Sequence, residues 1–162
     1  MRNVVITGVG IKSCIGNTYD DVLYSLQNGK SGITANKSYV DLGFRSQISG
    51  SVNLDYSELI DRKLLRFMGE ASAYSYLAAK DAIQMSGLEE TELDSPRVGI
   101  VAGAGGSSTR VMVKTSDITR EKGPKRIGPY AVTKSMASSI SAILGTAFKI
   151  KGINYSISSA CY

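Results

Sequence analysis

The chain has 162 residues, 43% of them hydrophobic and 20% charged, the proportions of a protein with a real core; disordered and fibrous classes are excluded. Its net charge of +5 points to an anionic partner, with nucleic acid and an acidic protein as the candidates. The complete lack of histidine removes the usual base for a serine or cysteine nucleophile and the commonest nitrogen ligand of zinc, so histidine-dependent chemistry would have to be completed elsewhere.

No apolar run approaches the ~20 residues of a membrane span. The opening Met-Arg-Asn-Val-Val-Ile-Thr-Gly reads as a strand and turn, not a secretion signal, so a cytoplasmic protein without a membrane contact is expected. Cys14 and Cys161 are the two cysteines; they form neither a disulfide framework nor metal-ligand pairs, and a reducing compartment fits.

In chain order, Val4-Val-Ile-Thr7 is a β-branched run ending at Gly8 and Gly10, the pattern of a buried strand entering a tight loop. Thr18 caps a predicted helix near residues 19–28, with Val22, Leu23 and Leu26 on one face and Gly29 as its stop. Residues 46–52 suit an exposed strand or a hairpin arm. A helix is predicted over 69–85, where Ala71, Tyr74, Ala78, Ala82 and Met85 recur at spacings of three and four before Gly87; its small alanines predict close packing against another element. Val98-Gly-Ile-Val-Ala102 is a second buried strand running into Gly103-Ala-Gly-Gly-Ser-Ser108, followed by a basic loop over 121–126. A helix over 131–144 presents Val132, Met136, Ile140 and Ile143, and the last strand covers 153–157. Alternating strands and helices imply a mainly parallel α/β layer covered by helices, whose reactive groups gather beyond the carboxyl ends of the strands. Cys161 follows the last strand in that place.

Three short motifs invite nucleotide readings. Gly29-Lys-Ser31 lacks the required glycine five residues earlier, where Tyr24 stands; Thr7-Gly8-Val-Gly10-Ile-Lys-Ser13 has serine at the third glycine position and no well-placed acid after it. Gly103-Ala-Gly-Gly106 could cradle phosphate, but glycines after a strand more often permit a sharp turn. Tyr130 and Lys134, four residues apart, resemble the proton-relay pair of short-chain NAD(P)-dependent reductases, although Lys12 spoils that family's glycine pattern. A lone cysteine is usually a small buried hydrophobe, and Cys14 is read as loop packing. Cys161 differs, because Ser156, Ser158, Ser159 and Ala160 form a narrow approach from which a turn could present the thiol at a helix start.

Taken together, several segments resemble the β-ketoacyl-acyl-carrier-protein synthases, most closely the bacterial type I group. They are Val4-Val-Ile-Thr-Gly-Val-Gly10, Ser31-Gly-Ile33, Ile60-Asp-Arg-Lys63 with Arg66-Phe-Met68, and Arg97-Val-Gly-Ile-Val-Ala-Gly103. Gly128-Pro-Tyr-Ala-Val-Thr-Lys-Ser-Met-Ala137 and Lys149-Ile-Lys-Gly-Ile-Asn-Tyr-Ser-Ile-Ser-Ser-Ala-Cys161 complete the same order. The resemblance spans residues 1–162 as one incomplete amino-terminal domain and less than half of the family's length. It implies the first half of a thiolase-like fold of two similar α/β halves.

By the same resemblance, Cys161 accepts an acyl group from acyl carrier protein, and malonyl carrier protein then loses carbon dioxide and extends the chain by decarboxylative Claisen condensation. No metal or redox cofactor is implied. The family's two catalytic histidines and their supporting lysine lie in the second half, as does the helix whose amino-terminal dipole favours the thiolate. Arg62, Lys63, Arg66 and Lys125 match carrier-docking positions, and Gly105 and Met136 match positions around the acyl pocket and the dimer seam. A homodimer is implied; nucleic acid is not.

The resemblance departs at Tyr162, where the family has a small residue. A terminus there would set a carboxylate beside the thiol and disfavour the thiolate. The leading expectation is thus a fragment of a fatty acid condensing enzyme, inactive alone and prone to aggregate. The alternatives are a carrier-binding or dimerisation module without catalysis, and a reductase using Tyr130 and Lys134.

Overall fold

The computed structural model describes residues 3–160. Its elements run α1 (Tyr19–Gln27), β1 (Ile33–Ala35), α2 (Lys37–Asp41), β2 (Ile48–Gly50), α3 (Arg62–Leu65), α4 (Glu70–Ser86), α5 (Glu90–Leu93), β3 (Ile100–Ala104), α6 (Thr109–Lys122), a 3-10 turn (Pro124–Arg126), α7 (Ala131–Ser135), α8 (Ser139–Ala147) and β4 (Asn154–Ser158). Among the described residues, β3 and β4 form a parallel pair and β1 and β2 an antiparallel one.

The central helix α4 carries two working faces. Ala73 and Leu77 are buried against Ile60, Met68 and Ile143, with Leu54, Tyr56, Leu64, Leu65 and Tyr76 around them, and this cluster is the core. The opposite face receives the amino-terminal segment. A methyl group on Gly8 would overlap the Ala82 carbonyl oxygen, and one on Gly10 that of Ala78, so only glycine lets the backbone lie this close. The backbone N–H of Val9 donates to Met85 Sδ (3.3 Å), and Lys12 Nζ is 2.5 Å from Asp81 Oδ2 and 2.7 Å from the Asn17 carbonyl oxygen. The alanines of α4 thus do pack against another element, as their spacing predicts.

The expected buried strand at residues 4–7 does not form. It is unpaired among the described residues, with Val4 94% and Ile6 87% exposed, because the chain that follows at Gly8 to Gly10 docks on helix α4 and residues 4–7 find no neighbouring strand. Gly8 and Gly10 consequently serve close approach to α4, not a tight loop.

Local signals hold better. Thr18 caps α1 by accepting from the Asp21 N–H (3.2 Å), and Gly87 ends α4 in the left-handed region at φ 71°. On α1, however, the buried residues are Val22 and Ser25, while Leu23 and Leu26 stay exposed; the Ser25 hydroxyl donates to the Ile15 carbonyl (2.7 Å) and claims the inner face. The strand expected over 98–102 sits two residues later, since the Val98 carbonyl instead accepts from the Gly152 N–H (2.9 Å). The basic loop over 121–126 is in fact the last turn of α6 followed by the 3-10 turn. The single helix expected over 131–144 is broken at Met136, whose ψ of 137° separates α7 from α8. No helix among the described residues is long and apolar enough to cross a membrane.

Candidate functional site

Strand register sets the site. Ile100 pairs with Asn154 and, four residues on, Ala104 with Ser158, so both parallel strands end at the same edge. Such an edge is where open α/β sheets place reactive groups. Helix α8 fixes β4 there: the buried Ser141 hydroxyl lies 2.5 Å from that of Ser156, and Asn154 Nδ2 donates to the Ser141 carbonyl (3.1 Å). Ser159 and Ala160 continue beyond β4. The expected nucleophile, Cys161, lies outside the described residues.

Gly105 follows β3 at the same edge. Neither it nor Gly103 or Gly106 has φ in the left-handed region, and among the described residues no heavy atom outside their chain neighbours lies within 4 Å of where a side chain would start. The chain does bend sharply at Gly105 and Gly106, as expected after the strand, but without a left-handed φ. Their effect is to leave space beside the strand ends.

Met136 borders that space. It lines a small cavity of about 20 Å³ with Ala104, Gly106 and Ser72, and also an apolar groove of about 290 Å³ with Leu64, Phe67, Ala142 and Ile143. The break between α7 and α8 leaves its side chain 48% exposed, between strand end and groove. Met136, far away in sequence, thus lies beside Ala104 and Gly106, the residues that flank Gly105 at the end of β3.

The basic residues form a second region. Asp61 caps α3 by accepting from the Lys63 N–H (2.7 Å), which sets Arg62 and Lys63 on one short turn with Arg66 at its end. Arg66 Nη1 donates to the Tyr130 hydroxyl at 3.4 Å, with the guanidinium 5.8 Å from the ring centre. The Phe67 ring meets Tyr130 edge-on, centroids 4.8 Å apart. Lys125 sits in the 3-10 turn that packs on α6.

Beneath Tyr130 opens a cleft of about 390 Å³ whose wall includes Tyr56, Glu70, Arg110, Lys114 and Lys134. Arg110 forms an ion pair with Glu70. Burial, and then the charge of Glu70, raise the Tyr56 and Tyr74 hydroxyls above the ordinary tyrosine pKa. Sequence reasoning missed Arg110 and Lys114, which the spacing of four on a helix could have revealed as neighbours. Cys14 is half-buried in a loop, its thiol against Gly32 and Gly50, as loop packing requires. Among the described residues, no three His, Cys, Asp or Glu side chains come together as metal ligands.

The architecture is that of the thiolase-like ketosynthases, of which it forms an amino-terminal portion. The ishigamide ketosynthase/chain length factor superposes with a TM-score of 0.83 at 22% identity, covering 95% of this chain and 39% of that one. A type II polyketide synthase ketosynthase in complex with its acyl carrier protein, AntDE:AntF, gives 0.75 at 22% identity, covering 97% and 41%.

The sequence narrows the class. A family model described as "Beta-ketoacyl synthase, N-terminal domain" matches residues 1–161, and the chain belongs to that family. It is 51% identical over 162 residues to 3-oxoacyl-[acyl-carrier-protein] synthase 1 of Haemophilus influenzae and 52% identical over 163 residues to that of Escherichia coli K12, in each case over 99% of this chain and 40% of the relative. The chain therefore spans about 40% of the length of these relatives. The reductase reading of Tyr130 and Lys134 is overturned, since the synthase domain accounts for both positions and the Tyr130 hydroxyl is engaged by Arg66.

Proposed function

We propose that this chain carries the acyl-accepting half of a fatty acid condensing enzyme, with Cys161 as acceptor. The observation that supports it most is the exit of β4 beside β3 at one sheet edge, in a chain matched to the synthase family through residue 161. The thiolate of Cys161 attacks the carbonyl carbon of an acyl thioester on acyl carrier protein, forming the new carbon–sulfur bond through a tetrahedral oxyanion. That oxyanion collapses, the carrier's thiolate leaves, and it takes up the proton released by the cysteine. Backbone N–H donors near the strand ends suit the developing charge.

Gly105 and Met136 border the acyl chain in this reading. The open space at Gly105 and the apolar lining around Met136 favour a hydrocarbon over a polar group. Arg62, Lys63, Arg66 and Lys125 dock the acidic carrier protein. Condensation with malonyl carrier protein belongs to the longer protein, because none of the 162 residues is a histidine that could stabilise the enolate. In that protein the edge of β4 that has no partner strand among the described residues pairs across a two-fold axis to form a homodimer. A thiol acceptor works only where thiols stay reduced, which favours a cytoplasmic location.

Intact mass after incubation with acyl carrier protein thioester tests the acceptor. An added acyl mass that disappears in Cys161→Ser supports it. Carrier binding without an adduct would instead favour the non-catalytic docking module.

A further inference from the structure

We infer that Tyr130 is a positioning residue for the basic docking face, holding the Arg66 guanidinium in place for an acidic protein partner; the inference rests on the carrier-docking reading above. An exposed arginine is a long rotor, and fixing it at the moment of binding costs entropy. Arg66 is exposed, yet its guanidinium lies over the Tyr130 ring at 5.8 Å and its Nη1 donates to the Tyr130 hydroxyl at 3.4 Å. Each contact is weak; together they restrict both the position and the tilt of the planar fork. Orientation matters because a guanidinium takes a carboxylate best through two parallel N–H donors.

Tyr130 is itself held. Its carbonyl accepts from the Thr133 hydroxyl (2.9 Å) and the Lys134 N–H (3.1 Å), and Phe67 closes on its ring from the side. The residue also joins two basic regions that are distant in sequence. Arg66 belongs to the end of α3, whereas Tyr130 lines the cleft walled by Arg110 and Lys114 of α6. Glu70 is the carboxylate in that wall, and it is already paired with Arg110. The net charge of the face is positive, which fits an acidic helix or loop and disfavours a basic or neutral one.

The test is binding of holo acyl carrier protein to the immobilised 162-residue chain, at low and at physiological salt, with folding of each variant checked by circular dichroism. Tyr130→Leu should weaken binding about two- to fivefold, the scale of one exposed cation–π contact. Tyr130→Phe, which keeps the ring and loses the hydroxyl, should lose less. In the double variant with Arg66→Ala, Tyr130→Leu should cost nothing further, and the ring-current shift of the Arg66 side-chain protons should vanish in Tyr130→Leu. If Tyr130→Leu does not fold, Tyr130→Phe combined with Arg66→Lys carries the same comparison.

Normal binding by Tyr130→Leu alongside weakened binding by Arg66→Ala overturns the positioning role and leaves the docking reading standing. A Tyr130→Leu loss that persists in the Arg66→Ala background also overturns it, since Tyr130 then acts through another group. Binding unaffected by Arg66→Ala, or absent in the parent chain, removes the docking reading and this inference with it.

Discussion

Gly10 lies against Ala78 so closely that any side chain on Gly10 would collide with the Ala78 backbone carbonyl. The match is geometric: two residues of extended chain advance about 6.6 Å and four residues of helix about 6 Å, so Gly8 and Gly10 fall in step with Ala82 and Ala78. Lys12 continues the contact through Asp81.

Gly10→Ala should therefore destabilise the fold by about 1–3 kcal/mol, because the new methyl group must displace helix backbone and not a flexible side chain. An unfolding free energy from urea titration lowered by this amount checks it. A midpoint equal to that of the parent chain would show that the amino-terminal segment does not rest on α4.

Gly105→Ala should behave in the opposite way. Among the described residues no atom outside its chain neighbours lies within 4 Å of the added group, and the backbone is not left-handed, so stability should change by less than about 0.5 kcal/mol. Acylation of Cys161 should nevertheless fall, and fall further in Gly105→Met, as the space beside the strand ends fills. Unfolding titrations and intact mass on the same samples separate the two effects.

Alkaline pH should loosen the core near Tyr56 and Tyr74, whose rings meet edge-on at 5.3 Å. Both hydroxyls are raised from the ordinary value of 10.0, so above that pH the unfolded chain gives up protons that the folded chain retains. The folded state then binds more protons, and stability is full below pH 10.0 and falls as pH climbs through the raised values. Denaturant titrations from pH 8 to about 11 should show this slope, and Tyr56→Phe with Tyr74→Phe should flatten it.

Strand β4 is exposed along its whole length, with Tyr155 and Ile157 outward and Ile153 before them. An exposed apolar edge strand is a template for pairing with another chain. The 162-residue chain should self-associate in sedimentation velocity, and Ile157→Lys should return it toward the monomer. A monomeric parent chain with a sharp cooperative melt would contradict this.

Much of the fold was legible because the punctuation is local. Thr18 and Gly87 mark helix ends through their own capping and backbone chemistry, and those boundaries fall within a residue or so of expectation. What failed depended on partners. Val4 to Thr7 has strand composition, but a strand also needs a neighbour to share its hydrogen bonds, and composition cannot supply one. The break at Met136 was hidden because Val132, Met136, Ile140 and Ile143 keep helical spacing through it. Helix α6 was missed for want of a broad apolar face; half-buried Val111, Thr115 and Ile118 carry its pattern weakly.

For the site, chemistry-bearing residue types stood out and their companions did not. Cys161 was singled out by its small neighbours and its place after a strand. Arg110, Lys114 and the partnership of Arg66 with Tyr130 emerge only when α3, α6 and α7 are brought together. The tyrosine that mimicked a proton relay in the sequence is occupied by an arginine 64 positions away.

The interruption between α7 and α8 separates two kinds of constraint. Because Met136 interrupts the helical hydrogen-bond ladder, its side chain can be exchanged or displaced without unwinding either flanking helix. The calibre of the neighbouring groove is thereby uncoupled from the integrity of the scaffold.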